Sequence, residues 1–159
     1  MKRQKGFTLI ELLVVIAIIG LLSTLAVIAL NNARSKSRDA RRVSDIKQIQ
    51  SALELYYNDA NGYPPTTGAN PIEIGNKCLQ LFTNGFVETT CNPTGTIYMT
   101  RVPSNPAPNG SAYKYRNTDT ANAREYKIEY TLENGAGGVP AGVNTASQAG
   151  IYGASKIVD

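Results

Sequence analysis

Hydrophobic positions along this chain run almost continuously at first, then fall at every third or fourth residue, then at every second. Over residues 7–30 Glu11 is the one ionisable side chain and there is no proline. A helix over that stretch would run ~36 Å, enough to cross a hydrocarbon core of ~30 Å with some tilt. Beyond Asn31-Asn32 the apolar positions are Val43, Ile46, Ile49 or Gln50, Leu53 and Tyr56 or Tyr57, with Arg41, Arg42, Lys47, Gln48 and Glu54 mostly between them. That spacing predicts an amphipathic helix with one buried stripe. Together the two stretches predict a single helix from Phe7 to about Asn58, ~78 Å long, with Gly20 and the Asn pair as weak points. Asn58-Asp59-Ala60-Asn61-Gly62-Tyr63-Pro64-Pro65 ends it, because Asn and Gly suit the left-handed cap and proline cannot extend the ladder.

Period two governs the later part. Tyr126, Ile128, Tyr130 and Leu132 alternate with Glu125, Lys127, Glu129, Thr131 and Glu133, which predicts a strand with one apolar face. Shorter strand signals lie at 97–102 and 112–116, separated by a proline-marked loop over 103–110. Residues 65–96 read as a connector punctuated by Pro71, Gly75, Gly85, Pro93 and Gly95, with a short helix or turn at 77–82. The tail from Asn134 is rich in Gly, Ala, Ser and Thr and is expected to be loop, edge strand or partly disordered. A one-faced strand must cover something apolar, and the stripe on the second half of the helix is its natural partner. The expected fold class is therefore α+β: a long N-terminal helix, membrane-spanning in its apolar half, whose amphipathic half packs against a small antiparallel sheet.

Glu11 is what hydropathy does not explain, since a carboxylate in lipid is costly unless paired or protonated and so marks a functional position. Before it stand Lys2, Arg3, Lys5, Gly6, Phe7, Thr8, Leu9 and Ile10. In these residues the chain resembles the type IV pilins and the pseudopilins of type II secretion, whose precursors carry a short basic leader ending in glycine, then phenylalanine, a glutamate fifth after the cut and a long apolar helix. The resemblance is close over most of 1–64, including the Gly62-Tyr63-Pro64 exit from the helix, and loose over 97–133, through the Pro103-Ser104-Asn105-Pro106 turn and a Tyr-x-Tyr strand. It implies that a prepilin peptidase cuts between Gly6 and Phe7 and methylates the new amine of Phe7, and that Glu11 then pairs with the N-terminal amine of a neighbouring subunit. It further implies an assembly platform and a motor ATPase that move the subunit from membrane lipid into a self-associated helical filament. The implied layout is a cleaved leader (1–6), a transmembrane and filament-core helix (7–33), and an amphipathic half-helix with a globular, extracytoplasmic pilin head (34–159). Many major pilins carry a proline within the apolar half-helix; this chain has none.

Rival readings use the same residues. A secretory signal would have an apolar core of about 7 to 15 residues before a small-residue cut, and this run is longer. A plain single-span anchor bearing a monomeric binding domain explains the hydrophobicity but leaves the leader and Glu11 as coincidences. Basic residues flank the span on both sides, so charge alone does not orient it; the family resemblance does. Within the family, a pilus subunit competes with a secretion pseudopilin. Major pseudopilins bind calcium through carboxylates clustered near the chain end, whereas Asp119, Glu125 and Asp159 are scattered here.

Charge and composition trim the remaining possibilities. The formal charge is +4, and removing Lys2, Arg3 and Lys5 from the 16 basic residues leaves 13 against 12 acidic, so no sustained basic face argues for nucleic acid. The basic stretch over 34–47 reads as a solvated helix face that pairs with acidic residues of neighbouring subunits; DNA is possible but unsupported, because stacking aromatics are not interleaved with it. Cys78 and Cys91 are a disulfide candidate in an exported chain. Histidine is absent, no serine sits in a nucleophile elbow and no glycine loop cradles phosphate, so no catalytic residue, metal ligand or cofactor is expected. Asn109-Gly110-Ser111 fits a glycosylation pattern but is first a turn, Gly135-Ala136-Gly137-Gly138 is a turn or linker, and the nine tyrosines belong mostly to the core.

Overall fold

The computed structural model describes residues 6–66, 70–81, 85–87, 91–92, 94–108 and 110–153. They form one long helix, α1 (Leu9–Ala60), followed by strands β1 (Ile72–Glu73), β2 (Cys78–Gln80), β3 (Phe86–Val87), β4 (Ile97–Met99), β5 (Lys114–Asn117), β6 (Tyr126–Leu132), β7 (Gly142–Ser147) and β8 (Gly150–Gly153). The expected α+β class is borne out. The chain divides into two compact units, Met1–Ser35 and Lys36–Asp159.

The first unit is the apolar part of α1. Its large hydrophobic side chains all face outward, from 86% exposed at Phe7 to 47% at Val15, so this surface has no partner within the unit. The hydroxyls in this stretch do not stay unsatisfied: Ser23 Oγ donates to the Ile19 carbonyl at 2.7 Å and Thr24 Oγ1 to that of Leu21 at 2.8 Å. In hydrocarbon that return bond to the helix's own backbone is the cheapest way to carry a hydroxyl. The helix is long and apolar enough to cross a membrane.

The second unit is the head. Ile46, Ile49, Leu53 and Tyr56 of α1 form the buried stripe that three- and four-residue spacing predicts, with Ala52 beside them and Val43 and Tyr57 partly covered. Opposite lies the antiparallel sheet β1-β5-β6-β7-β8. The β6 face is Tyr126, Ile128, Tyr130 and Leu132, each at most 2% exposed, while Lys127, Glu129 and Thr131 point the other way. Tyr113 and Tyr115 complete the wall, and rings of Tyr63, Tyr115, Tyr126 and Phe86 pack at centroid distances of 4.5 to 6.0 Å. A smaller sheet, β3-β2-β4, carries Leu79 and Phe86 into the same core. Asn61, at φ 53°, takes the left-handed cap position after Ala60, and its N–H donates to the Tyr57 carbonyl at 2.8 Å.

Two expectations fail here. Residues 78–80 are strand β2 rather than a short helix or turn; Phe82 lies outside the described residues. In the tail, β8 is an edge strand as expected, but β7 is an internal strand of the sheet, which was not expected. The inward residues of β7 are Asn144 and Ala146, both fully buried, so the strand carries no apolar alternation to read. Asn144 replaces that contact with hydrogen bonds from Nδ2 to the carbonyls of Pro140 and Gly142, both at 2.9 Å.

Candidate processing and assembly site

Gly6, Phe7 and Thr8 are exposed and non-helical, and α1 begins at Leu9. The start is fixed by a reciprocal cap. Thr8 Oγ1 accepts the Glu11 N–H at 3.3 Å, while Glu11 Oε2 accepts from the Thr8 N–H at 2.8 Å and from the Thr8 hydroxyl at 2.7 Å. This is the Thr-x-x-Glu capping box, which satisfies amide groups that the first turn would otherwise leave bare. Glu11 is thus held one turn inside the helix with both Thr8 donors converging on a single oxygen. Thr8 was not singled out from the sequence, although the signal was there in its spacing from Glu11. Lys2, Arg3 and Lys5 lie outside the described residues.

The head contributes a second polar assembly. The expectation of a solvated basic face over 34–47 is overturned at Arg38 and Arg42. Arg42 is fully buried, bonded to Asp39 and Glu133, and Arg38 grips Glu133 with two bonds of 2.8 and 2.6 Å. Asp39, also fully buried, accepts the backbone N–H groups of Glu133, Asn134 and Gly135 at 2.9, 2.7 and 3.1 Å. The physical reason is that Arg38 and Arg42 fall at helical spacing on the edge of the buried stripe, where β6 ends in Glu133. Arg38, aided by Arg42, holds the Glu133 carboxyl far below its ordinary 4.5, at about 2, against the penalty of burial. Burial raises Asp39, but the backbone donors of Glu133 and Asn134 together with Arg42 outweigh it and leave its pKa lowered. Asp45 goes the other way: burial raises it, only partly opposed by the Tyr113 hydroxyl, which donates at 3.0 Å, and by Arg41.

Cys78 and Cys91 are joined, with an S–S distance of 2.06 Å, tying β2 to the segment before β4. Asn109 and Asp159 lie outside the described residues. Asp119 Oδ1 accepts the local N–H groups of Ala121 and Asn122, and among the described residues no three His, Cys, Asp or Glu side chains gather.

An exposed apolar N-terminal helix leading into an α+β head is a pilin-like arrangement. Residues 1–27 match the family model for the prokaryotic N-terminal methylation motif. The chain is 47% identical over 64 residues to type II secretion system core protein G of Pectobacterium carotovorum subsp. carotovorum, covering 40% of this chain and 41% of that protein. It is 45% identical over 65 residues to the protein of the same name from Aeromonas hydrophila, covering 41% and 46%. A fimbrial protein of Pseudomonas aeruginosa is 43% identical over 54 residues, covering 34% and 35%. Each match thus spans less than half of the relative's length. No solved structure matches. These findings bear out the resemblance to type IV pilins and pseudopilins.

Proposed function

We propose that this chain is a structural subunit of a type IV pilus-like filament, cut after Gly6, N-methylated at Phe7 and assembled through its apolar helix. The observation that carries the reading is the unpartnered apolar surface over residues 7–30, which starts at a capping box holding Glu11. Lipid covers that surface before assembly and neighbouring copies cover it afterwards. The two environments differ little for apolar side chains, so extraction calls for a motor ATPase and an assembly platform. Glu11 Oε1 makes no bond among the described residues, and the amine of Phe7 on a neighbouring subunit is its natural partner. A carboxylate that Thr8 satisfies at one oxygen, and whose charge is neutralised only across the interface once the helices pack, sets the axial register between copies. The precursor sits in the cytoplasmic membrane with its head outside the cytoplasm, and the role is assembly rather than catalysis. The test is the mass of the N-terminal peptide from native membrane and surface fractions. A start at methylated Phe7 is expected; a start at Met1 would leave a single-span anchor as the answer.

A second reading, a secretion pseudopilin, draws on the relatives named type II secretion system core protein G. Under it the same subunit forms a short periplasmic filament. Filament length at the cell surface separates the two.

A further inference from the structure

The guanidinium of Arg42 sits in a closed cage of oxygen atoms drawn from three parts of the head. Nε donates to Asn105 Oδ1 at 2.7 Å, one terminal nitrogen to Asp39 Oδ1 and Glu133 Oε1, both at 2.7 Å, and the other to the carbonyls of Pro106 and Pro108 at 3.0 and 3.3 Å. A guanidinium has five N–H donors, and here five oxygens receive them. The side chain is 0% exposed. Anionic oxygens joined by neutral amide and carbonyl oxygens are what a hard cation such as Ca²⁺ collects.

We propose that Arg42 is the head's built-in cation, gathering the proline-marked loop and the end of β6 onto α1 so that the head is held together without a bound metal ion. Charge supports this. Asp39 and Glu133 bring two negative charges and Arg38 and Arg42 two positive ones, leaving no net charge to attract a divalent ion. Connectivity supports it too: Asn105, which accepts from Arg42, also donates through Nδ2 to the Ser111 carbonyl at 2.6 Å, so one arginine fixes both ends of the loop. Lysine would not serve, having three donors on a single point charge. The inference concerns the head and stands whether or not the chain assembles.

The experiment is thermal unfolding of the full chain in detergent micelles, followed by tyrosine near-ultraviolet circular dichroism. Wild-type midpoints in EDTA and in millimolar CaCl₂ are expected to coincide; a midpoint several degrees higher in calcium would overturn the proposal. Arg42→Ala is expected to lower the midpoint by roughly 10 °C. Millimolar methylguanidinium is expected to recover part of that loss, and calcium none. An unchanged midpoint, or recovery by calcium but not by methylguanidinium, counts against Arg42 as the cation. Should the variant fail to fold in all these conditions, the wild-type comparison decides alone.

Discussion

A carboxylate inside a membrane-length helix persists only if its charge is partly met, and Thr8 meets it within the same turn. Glu11 therefore has two separable duties, capping α1 through Oε2 and, in the proposed filament, pairing with an amine on another chain. Glu11→Gln preserves the hydrogen-bond acceptor and removes the charge. It is expected to leave cleavage after Gly6 intact and to cut filament yield about tenfold or more, read by N-terminal peptide mass and by sheared-filament immunoblot. Wild-type yield from the variant would remove Glu11 from assembly. In the head two tyrosines offer a matched contrast. The Tyr113 hydroxyl donates to the buried Asp45 carboxylate, whereas the Tyr130 hydroxyl is buried with no partner among the described residues. Tyr113→Phe is expected to cost about 1 to 3 kcal/mol in urea unfolding by stranding that carboxylate, and Tyr130→Phe to lie within about 0.5 kcal/mol of wild type.

Elements were legible in the sequence where one side-chain property repeats. The α1 stripe of Ile46, Ile49, Leu53 and Tyr56 and the alternating face of β6 could be read from spacing because large apolar residues mark the buried side. So could the helix end, where Asn61 takes a conformation that few other residues tolerate. β7 hid because its buried side is Asn and Ala, and β2 because a three-residue strand is too short to show a period. The arginine cage was illegible for a different reason: apart from Asp39, one helical turn away, its partners lie 63 to 91 residues from Arg42 in sequence, and only folding brings them to one place. The glycine-rich segment after β6 proves to be a tight hairpin closed by Ala136 and Val139, with Gly135 at φ 89°. A Cβ at Gly135 would lie 2.6 Å from the Val139 carbonyl oxygen, while its N–H is held by Asp39. Gly135→Ala is expected to destabilise the head by about 2 kcal/mol or more, seen as a lower urea midpoint with unchanged slope.

At the scale of the whole molecule the two units answer to different solvents. Residues 7–30 are stabilised by whatever apolar medium surrounds them and carry one titratable group, whereas the head is closed by burial and by the charges of Arg38, Asp39, Arg42 and Glu133. Acid should therefore act chiefly on the head. Glu133 titrates at about 2 when folded against an ordinary 4.5, and Asp39 is likewise lowered, so below pH 4.5 the unfolded chain binds more protons than the folded one. Their contribution is fully present above that value and is lost as pH falls towards 2. Asp45, raised by burial, acts in the opposite sense: its contribution is present at low pH and fades as pH rises, which makes the acid loss shallower without reversing it. The midpoint of head unfolding in micelles is thus expected to hold level from pH 7 to about 5 and to fall steadily between pH 4.5 and 2. Glu133→Gln, whatever it does to the midpoint at pH 7, is expected to flatten most of that acid slope, because it removes the carboxylate whose pKa falls furthest on folding. A variant with the full wild-type slope would place the acid sensitivity elsewhere than in the ion cluster that closes the head.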